Sequence, residues 1–155
     1  MGNLLLSPNG SINTAEFMRA GLILIAIAVL LGVGGYLMPQ SAKILSYLSF
    51  VLIYPWAVIW IKRLRDGGKS GWMFLLYLLI YIVLIVVASM ILGGGEIFKF
   101  SMEAAKEGMD KAEMTAKMEM MEQALQIPMM IVGGFVSLVM LYIGDKTIPK
   151  GVSEE

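Results

Sequence analysis

Four runs free of Asp, Glu, Lys and Arg dominate the chain: Ala20 to Met38, Ile44 to Ile61, Trp72 to Leu92 and Ile127 to Gly144. At 1.5 Å per helical residue, the first rises about 28 Å, nearly the thickness of a bilayer hydrocarbon core. The pattern predicts an all-α polytopic membrane protein with transmembrane helices over about 16–38, 44–62, 71–92 and 127–144, all in one membrane domain. Asn13 and Glu16 have the spacing of a capping box and mark where the first helix starts. A cleaved signal peptide fits this segment poorly. No positive n-region precedes it, and Gln40-Ser41-Ala42 has the wrong residue at the first small position of a cleavage site.

The stretches between the runs differ in kind. Pro39 to Lys43 reads as a tight connection, and Pro55 predicts a kink within the second span. Lys62 to Trp72 is a basic hairpin in which Gly67 and Gly68 supply left-handed backbone angles, and Trp60 and Trp72 flank it at the depth of an aromatic belt. Gly93-Gly94-Gly95 is expected to end the third run. From Glu96 to Gln126 the chain holds seven acids and four lysines, with Glu107/Lys111 and Glu113/Lys117 in the favoured helical order. This predicts one amphipathic helix outside the bilayer, on the extracytoplasmic side, over about 96–126, with Pro128 opening the last span. Phe98, Met102, Ala105, Met109, Ala112, Ala116 and Met120 share one face of that helix. Met114, Met118, Met121 and Leu125 lie nearly opposite and form a candidate docking face for a protein partner or a second copy of the chain.

Composition narrows the chemistry. At 58% hydrophobic and 15% charged, the chain is far more apolar than a soluble domain of 155 residues. A formal net charge of zero gives no basis for nucleic-acid binding. Cys and His are both absent, which removes disulfides, thiolates, imidazole bases and the usual zinc constellations. Counting Lys and Arg places Arg19, the hairpin (Lys62, Arg63, Arg65, Lys69) and Lys146 and Lys150 on one side, so both termini are expected to be cytoplasmic.

The hairpin also carries a resemblance. Arg63-Leu64, Asp66, Gly68 and Ser70-Gly71-Trp72 resemble the Arg-Arg-Leu-His-Asp-x-Gly-x-Ser-Gly-Trp signature of the bacterial inner-membrane family called domain of unknown function 805. Gly10, Glu16 and Phe17 resemble the same family's approach to its first helix. Arg65 stands where that pattern has His, and Ser11 and Thr14 stand where it has Arg. The resemblance covers the first half of the chain and implies a small multi-span inner-membrane protein, with no established activity.

Candidate sites follow from what remains. Gly68-Lys69-Ser70 is no phosphate-binding loop, because the earlier glycine such a loop requires falls on Arg63. Glu16, Arg19, Arg63, Arg65 and Asp66 are expected at one level, serving topology or a network across helices that holds a lipid headgroup. An acid–base pair of Asp66 and Glu16 is a weaker reading, and so is a Cu(I) site at Met114, Met118 and Met121, because Met is more often a packing residue. No cofactor is expected. The four runs lack the buried charges that ion-coupled transport usually needs. The expected function is that of a non-enzymatic accessory or scaffold subunit, or of a self-associating bundle. A channel or transport component is the alternative, and an enzyme acting on lipid at the cytoplasmic face is the third reading.

Overall fold

Asn13 starts the first helix as its spacing predicts. In the computed structural model, which describes residues 5–149 and 151 apart from the side chains of Pro39 and Glu107, the Asn13 side chain accepts the Glu16 N–H at 2.8 Å, and the Glu16 carboxylate accepts the Asn13 N–H at 3.3 Å. Helix α1 then spans Thr14–Leu37 and buries Phe17, Ala20, Gly21 and Leu24, a stripe at helical spacing. The second run is two helices, α2 (Ala42–Val51) and α3 (Ile53–Asp66), broken at Leu52. Pro55 explains the break: it sits in the first turn of α3, where its missing N–H costs little.

The third run corrects two expectations. After a short 3-10 turn, Gly71–Met73, helix α4 covers Phe74–Ser89, and the triple glycine does not end it. A π-helical turn, Met90–Gly94, carries the chain through a kink at Gly93 (φ 119°) directly into α5, Gly95–Glu107. The predicted single helix over 96–126 does not form. Gly108 (φ 66°) ends α5 in the left-handed conformation, and Asp110 caps α6, accepting the Ala112 N–H at 3.3 Å. Helix α6 runs unbroken over Lys111–Thr147 and keeps Pro128 inside it, so the last span is the second half of a longer helix. The polar stretch is therefore shared between the end of the third span and the start of the fourth, as two arms of a helical hairpin. The expected Glu113/Lys117 pair forms at 2.9 Å, exposed on α6, whereas the Glu107 side chain and Lys150 lie outside the described residues.

Among the described residues all elements are helical, and four helical stretches are long and apolar enough to cross a membrane: Thr14–Leu37, Ala42–Asp66, Gly71–Lys106 and Lys111–Thr147. The last two, at 36 and 37 residues, are each about 54 Å long, well beyond a hydrocarbon core of about 30 Å. The excess length, with its charged residues, lies at the end remote from the basic hairpin.

Tight packing concentrates at the hairpin end, where Phe17 of α1, Trp60 and Leu64 of α3, Tyr77 of α4 and Met140 and Leu141 of α6 are buried together. Trp60 meets Phe17 edge-on at 5.2 Å between ring centroids and Tyr77 at 4.8 Å. The Tyr77 and Thr147 hydroxyls share a hydrogen bond of 2.8 Å. Looser packing follows with distance. A cavity of about 510 Å³ lies midway along the spans, and another of about 490 Å³ opens between the two projecting arms near Gly94, Glu122 and Leu125.

Candidate functional site at the basic hairpin

The end of α3 closes as a glycine-terminated helix. Gly67 N–H donates to the Arg63 carbonyl at 3.1 Å, and Lys69 N–H donates to the Leu64 carbonyl at 2.8 Å. Only Gly68 takes the left-handed angle (φ 69°); Gly67 stays at φ −76°. Gly67 serves a different purpose from the one expected, which is close approach. A Cβ there would lie 2.5 Å from Ile148 Cγ2 and 3.0 Å from the Pro149 carbonyl. Ser70 then receives the Trp72 N–H at 3.4 Å and starts the next helical segment.

Closing the helix this way turns Arg63 inward. Its Nη1 donates to Asp66 Oδ2 at 2.8 Å, with side chains only 0% and 2% exposed, and its Nη2 donates to the Ile148 carbonyl at 3.4 Å. The planar fork suits this double duty, because its donors point in fixed and different directions. Gly151 lies directly against the Asp66 carboxyl, where a Cβ would find no room. Ile148, Pro149 and Gly151 thus lie against the hairpin and its buried ion pair. Lys62, the residue before Arg63, is buried as well.

The other candidates of this level do not converge on that pair. Glu16 is exposed and spends its carboxylate on the capping box. Arg65, also exposed, donates to the Pro8 carbonyl at 2.8 Å, and the Tyr54 hydroxyl donates to Leu6 at 2.8 Å, so the N-terminal lead is pinned along α3. Arg19 is exposed on α1. At the far end, Met114, Met118, Met121 and Leu125 are half-buried, and Leu125 packs where a Cβ on Gly93 would be 3.2 Å away. Phe98, Met102 and Met120 are exposed instead.

Sequence reasoning missed the partners contributed by Ile148, Gly151 and Gly144. Their one local signal is that Gly144 ends an apolar run and that Pro149 stops a helix; nothing local names what they touch.

Four membrane-length helices joined by short connections, with a core of interlocked aromatic residues at one end, define a multi-pass α-helical membrane protein. Residues 5–98 match the family described as Protein of unknown function (DUF805), and the chain belongs to that family. Neither a curated protein nor a solved structure matches the chain. The matched stretch contains the hairpin and the Arg63–Asp66 pair, whereas Ile148 and Gly151, which contact the pair, lie outside it.

Proposed function

We propose that the protein is a non-enzymatic accessory or scaffold subunit of a bacterial inner membrane, docking through its projecting helical hairpin. The observation that carries this reading is the overlength of the last two membrane helices. Phe98, Met102 and Met120 face outward on the polar arms by which these helices exceed the length a hydrocarbon core requires, Met120 at 63% exposure, an apolar surface for a partner to cover. Met114, Met118, Met121 and Leu125 are half-buried, Leu125 against Gly93, so the more exposed Phe98, Met102 and Met120 are the docking surface we favour. Closure of Arg63 on Asp66 and on the C-terminal residues supports a structural use of the family's hairpin, since neither residue lines either cavity. The expected occupant of the outer face is a protein partner or a second copy.

Purification of the tagged full chain in mild detergent tests this reading. The wild-type protein is expected to carry a second chain, and Phe98→Gln, Met102→Gln and Met120→Gln together are expected to release it while all four helices remain inserted. If the triple variant keeps every associated chain and its size but loses solute flux in liposomes, a transport component replaces the scaffold. Orientation is tested separately. The basic hairpin belongs in the cytoplasm and the arm tips on the opposite side, so a reporter inserted at Gly68 is expected to signal cytoplasm and one at Asp110 the other compartment. A cytoplasmic signal at Asp110 would sink the four-span arrangement, because the span Gly71–Lys106 separates the two reporters.

A further inference from the structure

The cavity between the spans lies about 15 Å along the helices from the hairpin end, half of a hydrocarbon core of about 30 Å. Tyr81 follows the start of its helical segment at Gly71 by ten residues, and Ser137 precedes the end of α6 at Thr147 by ten, each about 15 Å of helix. Leu24 of α1 forms a fully buried part of the wall, and Gly133 of α6 leaves a gap in it, since a Cβ there would meet nothing within 4 Å. Ile53 and Ile82 line the cavity and are 53% and 49% exposed, so the cavity is open where α3 and α4 meet. Protein interiors pack as densely as organic crystals, and a void of about 510 Å³ is of the size that ligands fill. Left empty, its walls forfeit their dispersion contacts.

We propose that this cavity holds one acyl chain of a surrounding membrane phospholipid, inserted between α3 and α4 and seated against Gly133. The walls are largely apolar, and the hydroxyl of Ser49 is closed on the Leu45 carbonyl at 3.0 Å. At this depth the bilayer offers hydrocarbon chains at high concentration, and these are as apolar as the leucines they would touch. A headgroup would have no place there. The chain is a ligand of the bundle, independent of whether the projecting hairpin docks a partner.

Trp56, on the cavity wall, supplies the readout. The full chain carrying Trp72→Phe is reconstituted into vesicles of dioleoylphosphatidylcholine, or of the same lipid brominated at mid-chain, since bromine quenches an indole that it touches. Trp60, at 1% exposure, provides the shielded background. Quenching is expected in the brominated vesicles, and Gly133→Leu, which grows into the open space, is expected to reduce it about twofold. Ala28→Leu fills the cavity from α1, carries the same expectation, and takes the place of Gly133→Leu if that variant does not fold. Tyr81→Phe and Ser137→Ala are expected to change nothing, because a hydrocarbon chain accepts no hydrogen bond. Equal quenching with and without the filling substitution overturns the proposal. A loss of quenching in either hydroxyl variant also overturns it, in favour of a ligand with a polar group at this depth.

Discussion

Replacing Asp66 with Ala is expected to destabilise the protein by about 3–5 kcal/mol, the cost of breaking a buried ion pair from one side. The Arg63 guanidinium is fully buried, reaches the Ile148 carbonyl at 3.4 Å, and has the Asp66 carboxylate 2.8 Å away to offset its desolvation. Removing the carboxylate leaves the cation in a place water reaches poorly. The expected outcomes are a fall in detergent melting temperature on the order of 10 °C and release of the C-terminal residues, read as faster proteolysis beyond Thr147. Arg63→Ala is expected to do the same from the other side. Converting both to apolar residues, Arg63→Met with Asp66→Leu, should recover much of the loss, since a buried pair and well-packed hydrocarbon are often close in free energy. Raising the salt should leave the wild-type pair intact, because enclosed charges are little screened. Arg65→Ala is the contrast: its bond to Pro8 is exposed and should cost about 1 kcal/mol at most. If Asp66→Ala behaves like Arg65→Ala, the ion pair does not hold the C-terminal residues down.

The parts of this fold that were legible in the sequence are those that depend on local composition. An uncharged run long enough to cross lipid has few alternatives to a helix, since every backbone N–H and C=O must be satisfied within the segment. That constraint yields four spans without knowledge of their neighbours. The capping box at Asn13 and the break near Pro55 are equally local, because each acts within one helical turn. The extent of the last two helices was not legible. A change of composition at Glu96 looks like a boundary, but helices follow backbone hydrogen bonding, and a π-turn lets the chain pass Gly93 without ending. The signals for the true break were present in Gly108 as a left-handed terminator and in Asp110 as the next cap, and the long charged pattern around them masked both. At the hairpin, the i,i+3 spacing of Arg63 and Asp66 allows their pairing. Its burial depends on Ile148 and Gly151, more than 80 residues away, and no periodicity encodes that contact. The mid-span cavity is likewise a property of four helices together and of none alone.

The second large effect is expected at Gly144, where α6 comes closest to the aromatic cluster. A Cβ there would stand 2.8 Å from Trp60 Cη2 and 3.1 Å from Phe17 Cε1 and Cζ. Those atoms belong to rigid rings, buried and locked edge to face, and Trp60 is held in turn by Tyr77. Neither ring can swing aside as a leucine end would, so even Gly144→Ala must push helices apart or tilt a ring, at a cost of about 1–3 kcal/mol. Gly144→Leu is expected to exceed that and to lift the end of α6, breaking the Tyr77–Thr147 hydrogen bond one turn on and carrying Ile148 away from Arg63. The measurements are detergent melting temperature and the emission of Trp60, which should shift to longer wavelength as its pocket opens. Gly133→Ala provides the control on the same helix, because its Cβ enters open space and alanine favours the helix by roughly 0.5–1 kcal/mol over glycine. Phe17→Leu added to Gly144→Ala should return part of the lost stability by vacating the space the new methyl needs. Equal stability of Gly144→Ala and Gly133→Ala would mean that α6 does not pack on Phe17 and Trp60 as described, and the closure of the hairpin end would lose its foundation.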